Sequence, residues 1–117
     1  MGHSLGALIC LYSIFRNDDY GKIASLCASQ WYDKWLSFIE TEHIINKDIN
    51  LLLLAGRREG EGKSTIQKDT TKCTQLSCEI FQKRLGNDRV EMLWDDYGHH
   101  DNMISRYTTA LEFLMKD

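Results

Sequence analysis

The sequence predicts an α/β fold in which about three parallel strands are flanked by helices. Stretches of strand length alternate with stretches of helical periodicity along the 117 residues. Residues 49–55 are apolar at almost every position, as in a parallel strand that helices cover on both faces. A hydrophobic content of 43% with 26% charged residues is typical of one globular domain of this size.

Three segments are predicted to be strands. Residues 22–28 follow a polar turn, residues 49–55 form the clearest strand, and residues 89–94 form the last one. Each of these strands precedes a segment of helical character. Because a strand, a helix and a second strand in succession make a parallel unit, the order of the elements predicts a parallel sheet.

Four segments are predicted to be helices. Residues 7–16 contain neither glycine nor proline and are apolar almost all round, which indicates a helix at the centre of a domain. Residues 31–45 hold a short helix, and residues 64–85 form a long amphipathic helix that ends before Gly86. Asp101 is expected to cap the last helix. The predicted apolar faces consist of Ile66, Cys73, Leu76, Ile80 and Leu85 in the long helix and of Ile104, Tyr107, Leu111 and Leu114 in the last.

Composition argues against several classes of function. A net charge of −3 with scattered basic residues gives no electrostatic footprint for a nucleic acid or an anionic membrane. The apolar runs are far too short to span a bilayer. The four cysteines are Cys10, Cys27, Cys73 and Cys78. Without a C-x-x-C pair they are expected to be free, mostly buried thiols, which favours a reducing, cytoplasmic setting.

A G-x-S-x-G motif stands at the start of the chain. It consists of Gly2, His3, Ser4, Leu5 and Gly6. In an α/β-hydrolase this motif is the strained turn from a strand into a helix that exposes a nucleophilic serine, and the next backbone amide, here that of Leu5, stabilises an oxyanion. The strand before the turn is reduced to Met1. Residues 1–117 are therefore expected to be a partial domain, the carboxy-terminal portion of an α/β-hydrolase fold, that starts at this nucleophile elbow.

Three later segments extend this pattern. They are Ala-Ser-Gln-Trp-Tyr-Asp at 28–33, Leu-Ala-Gly-Arg-Arg-Glu-Gly at 54–60 and Tyr-Gly-His-His at 97–100. In this order, and together with the elbow, they resemble the esterase family of α/β-hydrolases typified by esterase D and the enterochelin esterases. The resemblance covers essentially the whole chain but only the carboxy-terminal half of the family's fold. Gln30 departs from the family pattern, in which proline is usual.

The resemblance implies a catalytic triad of Ser4, Glu59 and His99. Ser4 would attack the ester carbonyl, His99 would take and return its proton, and Glu59 would orient the imidazole. The implied reaction is hydrolysis of a carboxylic ester through an acyl-enzyme, with no metal and no organic cofactor. The order nucleophile, acid, base along the chain is the order that the hydrolase fold imposes.

Other assignments stay open on the residues alone. The alternative acids are Asp33, Asp95 and Asp96, and His100 is the alternative base. The histidine pair and the neighbouring acidic residues Asp95, Asp96 and Asp101 also have the chemistry of metal ligands. Adjacent ligands on an extended turn point apart, so no metal site is expected there. His3 and His43 are expected to be structural.

An aromatic cluster of Trp31, Tyr32 and Trp35 follows the strand predicted at 22–28. Such a cluster is often part of a core. Ligands of parallel sheets bind at the carboxyl ends of the strands, however, and Trp31 and Tyr32 are therefore expected to bind substrate as a wall of the acyl or aryl pocket.

A nucleotide-binding site is the alternative from another class. The segment Gly-Glu-Gly-Lys-Ser-Thr at 60–65 lies between a predicted strand and a predicted helix, as a phosphate-binding P-loop does. The spacing does not fit. A P-loop places four residues between its first glycine and the second, but Arg57 stands where that first glycine belongs, and Gly56 leaves five residues before Gly62.

A third hypothesis is a non-catalytic half-domain. The second oxyanion donor of the fold and the strand that supports the elbow belong to the amino-terminal half. Residues 23–27 would then form an exposed sheet edge, to which another chain can add a strand. Self-association, or pairing with an amino-terminal half, is therefore expected, beside a small-molecule ester as the substrate.

Overall fold

Four parallel strands form one sheet in the computed structural model, which describes residues 1–116. The strands are β1 (Gly2–His3), β2 (Lys22–Leu26), β3 (Asn50–Gly56) and β4 (Val90–Asp95). Their order in the sheet is their order in the chain, and each neighbouring pair is parallel. The expected α/β class with a parallel sheet is confirmed.

Four α-helices connect and follow the strands in the described part of the chain. They are α1 (Leu5–Ser13), α2 (Trp35–Thr41), α3 (Thr70–Leu85) and α4 (Met103–Met115). A short 3-10 turn (Ile66–Asp69) precedes α3. None of the helices in residues 1–116 is long and apolar enough to cross a membrane.

The two faces of the sheet are covered by different helices. Leu51 and Leu53 of β3 pack into a larger core with residues of α1, α2 and α3. Leu52 and Leu54 point to the opposite face and pack against α4 around Ala110. Since successive side chains of a strand alternate between faces, a strand covered on both sides is apolar throughout. This arrangement explains the leucine run that predicted β3.

A fourth strand corrects the expected count of about three. The residues expected to be no more than the start of the elbow form β1, which pairs Gly2 with Ser25 and His3 with Leu26. Lys22, at the start of β2, pairs with Asn50 of β3 but is not paired with a residue of β1. The sheet edge expected along residues 23–27 is therefore partly covered by β1.

The long helix predicted at 64–85 is divided into the 3-10 turn and α3, and its predicted apolar face is only partly correct. Ile80 and Leu85 pack against the core. Ile66 is 50% exposed and Leu76 is 37% exposed. The side chains that α3 buries are Thr70, Thr74, Ser77, Cys78 and Phe81. Their spacing is helical, but most of them are small and polar, and a search for large apolar residues passes over them. Gly86 ends α3, as expected, with a φ of 108°.

The start and the buried face of the last helix also differ from the prediction. Asn102, with a φ of 57°, stands at the N-cap of α4 and makes no side-chain capping bond. Asp101 instead accepts a hydrogen bond from the amide of Gly98 at 3.2 Å. Ile104 is 87% exposed, and Tyr107 and Leu111 of the predicted face are exposed as well. The helix is rotated so that Arg106 and Ala110 face the sheet.

Candidate active site

The polar residues singled out in the sequence meet at the carboxyl ends of the strands. Ser4 directly follows β1, Glu59 lies in the turn after β3, and His99 lies in the loop between β4 and α4. All strands are parallel, so these three segments leave the sheet at the same edge. Binding sites of parallel α/β sheets form at this edge.

Two hydrogen bonds join Ser4, His99 and Glu59 into one chain. The Nε2 atom of His99 lies 2.9 Å from Oγ of Ser4, and its Nδ1 atom lies 2.6 Å from Oε1 of Glu59. With the Nδ1 proton donated to the carboxylate, Nε2 has a lone pair that accepts the hydroxyl proton of Ser4. The arrangement can remove a proton from the serine and hold the resulting imidazolium against a buried negative charge.

Ser4 occupies a strained turn between β1 and α1. Its φ is 60° and its ψ is −121°, a conformation that L-residues rarely adopt. The turn is held by backbone bonds, because the amide of Ser4 donates to the carbonyl of Leu26 at 2.9 Å and its carbonyl accepts from Leu8 at 3.1 Å. The amide of Leu5 is the first of α1, beside the hydroxyl, where a developing oxyanion would lie.

The two glycines of the elbow have different roles. A Cβ atom on Gly2 would lie 2.6 Å from the carbonyl carbon of Gly6, which is backbone and cannot turn away. A Cβ atom on Gly6 would meet nothing within 4 Å. The packing around the elbow therefore requires glycine at position 2 but not at position 6.

Glu59 is buried, and both oxygens of its carboxylate accept a hydrogen bond. Its side chain is 1% exposed. One oxygen accepts from His99, and the other accepts from the backbone amide of Gly56 at 2.8 Å. Gly56 has no room for a side chain, because a Cβ atom there would overlap the carbonyl of Tyr97. The turn after β3 thus directs Glu59 toward the histidine.

The alternative acids and the alternative base do not take part in this chain of hydrogen bonds. Asp95 is bound by Arg106, Asp96 makes an exposed ion pair with Arg57 at 2.8 Å, and Asp33 is exposed in the turn before α2. His100 lies beside His99, with its ring centroid 4.6 Å from that of His99. The geometry selects Glu59 and His99 among the candidates.

Arg106 was not predicted from the sequence. It holds the loop between β4 and α4, which carries His99, in place. Its side chain is 0% exposed and binds both carboxylate oxygens of Asp95, at 2.7 and 2.8 Å. It also donates to the carbonyls of Gly98 at 2.8 Å and His99 at 3.1 Å. Hydrogen bonding from Arg106 holds the pKa of Asp95 below its ordinary value. Nothing in the sequence distinguishes this arginine from those on helix surfaces.

Two further residues beside the triad were also missed. The hydroxyl of Ser29, a buried residue, lies 3.5 Å from Oγ of Ser4. Cys27 was expected only as a buried thiol, but it lies next to Glu59 and has a left-handed φ of 52°. Burial, and to a lesser extent the charge of Glu59, raises the pKa of this thiol to about 12. Cys27 therefore stays protonated at neutral pH and does not compete as a nucleophile.

His3 packs against the loop between β4 and α4, which carries His99. Its Nε2 atom lies 3.2 Å from the carbonyl oxygen of His99, and the two ring centroids are 5.0 Å apart. Burial lowers the pKa of His3, and the neighbouring imidazoles add to this effect. His3 is therefore in the neutral form at pH 7.

A cavity of about 310 Å³ opens above Ser4 and His99. Trp31 lines it, as expected for a substrate-binding residue, together with Ser29 and Lys63. Tyr32 is 56% exposed and lies instead in an adjoining apolar groove beside α1. Trp35 is a core residue, and its indole N–H donates to Gln30 at 3.2 Å. Gln30 stands where the esterase family that the chain resembles usually has proline. Its side chain is buried and accepts this hydrogen bond within the core.

The glycine-rich segment at 60–65 does not lead directly into an α-helix. Lys63 lines the cavity, but α3 begins at Thr70, after the 3-10 turn. In a P-loop the lysine stands at the start of the helix, so that the first helical amides face the phosphates. The segment lacks this geometry.

A comparison with curated proteins finds similarity to a bacterial protein. It is a Bacillus subtilis (strain 168) protein described as "Uncharacterized protein YbbA", 27% identical to this chain over 118 residues. The similarity covers 97% of this chain and 47% of the relative, so the chain spans about half the length of the curated relative that it matches. No family model matches the chain, and a search of the solved structures gave no match.

Proposed function

We propose that this chain is the carboxy-terminal portion of an α/β-hydrolase and that its site hydrolyses carboxylic esters. One observation carries the proposal: Ser4, His99 and Glu59 form a continuous chain of hydrogen bonds at the carboxyl ends of parallel strands. The strained turn at Ser4 adds support, since a serine with positive φ between a strand and a helix is the form of a nucleophile elbow.

In the proposed acylation step, Ser4 attacks the ester carbonyl while Nε2 of His99 takes the hydroxyl proton. The amide of Leu5 donates to the oxyanion of the tetrahedral intermediate. The intermediate collapses when the carbon–oxygen bond to the alcohol breaks, and the imidazolium of His99 returns its proton to the leaving alkoxide. Water then attacks the acyl-enzyme by the same route, with His99 as the base, and releases the acid.

Glu59 supports both steps from behind the imidazole. Its carboxylate accepts the Nδ1 proton of His99, which fixes the tautomer that has a free Nε2 lone pair. Burial makes the carboxylate effective, because few solvent molecules screen its attraction for the imidazolium. The amide of Gly56 satisfies its second oxygen.

We place this portion in the esterase family typified by esterase D and the enterochelin esterases. The four segments that carry the resemblance supply Ser4, Trp31, Glu59 and His99, and all four residues line one cavity. The substrate in this proposal is a small-molecule ester whose acyl or aryl group lies against Trp31, and no metal or organic cofactor takes part in the hydrolysis. The four free cysteines favour a cytoplasmic location.

Hydrolysis of a small activated aryl ester tests this proposal. We expect a serine-dependent rate that falls at least about a thousandfold in Ser4→Ala, because loss of a triad nucleophile removes the covalent route. The matched control is Ser37→Ala, which removes an exposed hydroxyl on α2 and is expected to keep the full rate. A rate that is the same in Ser4→Ala and Ser37→Ala would exclude the proposed nucleophile.

A further inference from the structure

Three of the four histidines of the chain lie close together, and two of them, His99 and His100, line the cavity. One ring nitrogen each of His3, His99 and His100 lies within 4.8 Å of the other two. The ring centroids of His3 and His100 are 5.7 Å apart, and that of His99 lies 4.6 Å from His100. The expectation that adjacent histidines on this turn point apart is wrong, because His3 and the pair converge.

We propose that these three imidazoles bind one zinc ion and that the bound zinc blocks the nucleophile. Zinc takes three or four nitrogen, sulfur or oxygen ligands in tetrahedral geometry, at about 2.0–2.1 Å from each imidazole nitrogen. Ligands at such distances are about 3.4 Å from one another, from the tetrahedral geometry. A separation of up to 4.8 Å is closed by small rotations, and the ring of His100 is exposed and free to make them.

The groups around the three histidines favour the binding of a metal ion. His99 is held at Nδ1 by a carboxylate, the arrangement that commonly orients a zinc-binding histidine and makes its other nitrogen more basic. His3 has one nitrogen at the carbonyl of His99, and its other nitrogen remains available. The buried charge of Glu59 compensates part of the charge of the ion, while the nearby guanidinium of Arg106 is already paired with Asp95.

Zinc at this position would remove the base from Ser4. The Nε2 lone pair of His99 that accepts the serine proton is the same lone pair that would bind the metal. The fourth ligand position is then filled by water or by Oγ of Ser4, which lies 2.9 Å from that nitrogen. We therefore expect zinc to inhibit the hydrolase reversibly, and a chelator to restore it. The inhibition rests on the proposed function, whereas the binding does not.

Calorimetric titration of metal-free protein with ZnCl₂ tests the binding directly. We expect one zinc per chain, with affinity at least about tenfold weaker in His3→Ala and in His100→Ala, since each variant removes one of three ligands. His43→Ala is the matched control, because this fourth histidine is exposed on the loop after α2. The ring of His100 is exposed and can be removed without disturbing the core. The His100→Ala variant therefore tests the site even if His3→Ala does not fold.

Cobalt identifies the ligands spectroscopically. The Co²⁺ form of the wild-type protein is expected to show the absorption of a tetrahedral nitrogen site without sulfur-to-metal charge transfer, which excludes the free cysteines as ligands. Absence of equimolar zinc binding, or equal weakening in His43→Ala and His100→Ala, would overturn the inference. Zinc binding by a protein whose metal-free form has no serine reactivity would leave the metal site standing and overturn the proposed function alone.

Discussion

At the scale of single residues, Arg106 and Asp95 hold the loop between β4 and α4, which carries His99, in place. The guanidinium makes four hydrogen bonds to Asp95, Gly98 and His99, all from a fully buried position. A buried ion pair contributes little compared with an apolar pair of the same size, but removal of one partner leaves the other charge without compensation. The position of His99 therefore depends on a residue outside the triad.

We expect Arg106→Met to lower the free energy of unfolding by about 1–3 kcal/mol, because Asp95, whose side chain is 19% exposed, and the carbonyls of Gly98 and His99 lose their donor. Urea unfolding measures this change. Arg57→Met is the matched control, since Arg57 makes an exposed pair with Asp96 and such pairs contribute about 0–1 kcal/mol. A similar, small loss of stability in both variants would show that the Arg106 contacts do not stabilise the fold.

At this scale the sequence singled out Ser4, Glu59 and His99, which the structure joins by hydrogen bonds, but it did not indicate the residues that support them. Ser4, Glu59 and His99 stand in short segments whose order and glycine spacing belong to a resemblance. Arg106 lies outside these segments, and Ser29 lies in one of them at a position to which the resemblance assigns no role. Ser29 is 25 residues from Ser4 along the chain, and Arg106 reaches back over 7–11 residues to the loop before α4, so both contacts depend on the folded structure.

At the scale of elements, the turn from β1 through Ser4 to α1 sets the direction of the nucleophile. The turn is tight because the start of α1 passes directly over Gly2. Any side chain at Gly2 must push the helix away from the strand. Gly6 lies in the first turn of α1, where its missing side chain leaves open space.

The two glycines provide a matched pair of variants. Gly2→Ala is expected to displace the elbow and to lower the rate of ester hydrolysis at least about a hundredfold, the cost of a misplaced reacting group. Gly6→Ala is expected to keep the activity and to raise the free energy of unfolding by about 0.4–1 kcal/mol, because alanine favours the helix. Ester hydrolysis together with thermal unfolding checks both. Full activity in Gly2→Ala would contradict this description of the elbow.

The elements themselves were largely predictable, but two buried faces were not. Runs of strand and helix periodicity located β2, β3, β4 and the helices to within a few residues. The face of α3 was only partly predicted, because Thr74 and Ser77 count as polar in a sequence although both are buried. The face of α4 was only partly predicted, because Arg106, a charged residue, is buried on it, whereas only Leu114 of the predicted residues packs against the core.

At the scale of the whole molecule, the described residues expose large apolar side chains on two helices. Leu5 and Ile9 of α1 are 55% and 62% exposed, and Ile104 and Met115 of α4 are 87% and 80% exposed. Exposed apolar groups on this scale mark surfaces that another chain or segment covers. The two-residue strand β1 also leaves part of β2 at the edge of the sheet.

We therefore expect the 117-residue chain to self-associate at micromolar concentration, or to pair with an amino-terminal half when one is supplied. Sedimentation velocity measures the association. Ile9→Glu, which places a charge on the exposed face of α1, is expected to shift the distribution toward monomer, whereas the control Glu40→Gln on α2 is not. A monomer in the unsubstituted protein at these concentrations would contradict the prediction.

The central claim is that Ser4 is activated by His99. Intact mass spectrometry before and after treatment with a fluorophosphonate tests it most directly, because this reagent phosphonylates a serine whose base is in place. One adduct per chain is expected in the wild-type protein and in His43→Ala, and none in Ser4→Ala or His99→Ala. Absence of an adduct in the wild-type protein, or an adduct that persists in Ser4→Ala, would contradict the claim.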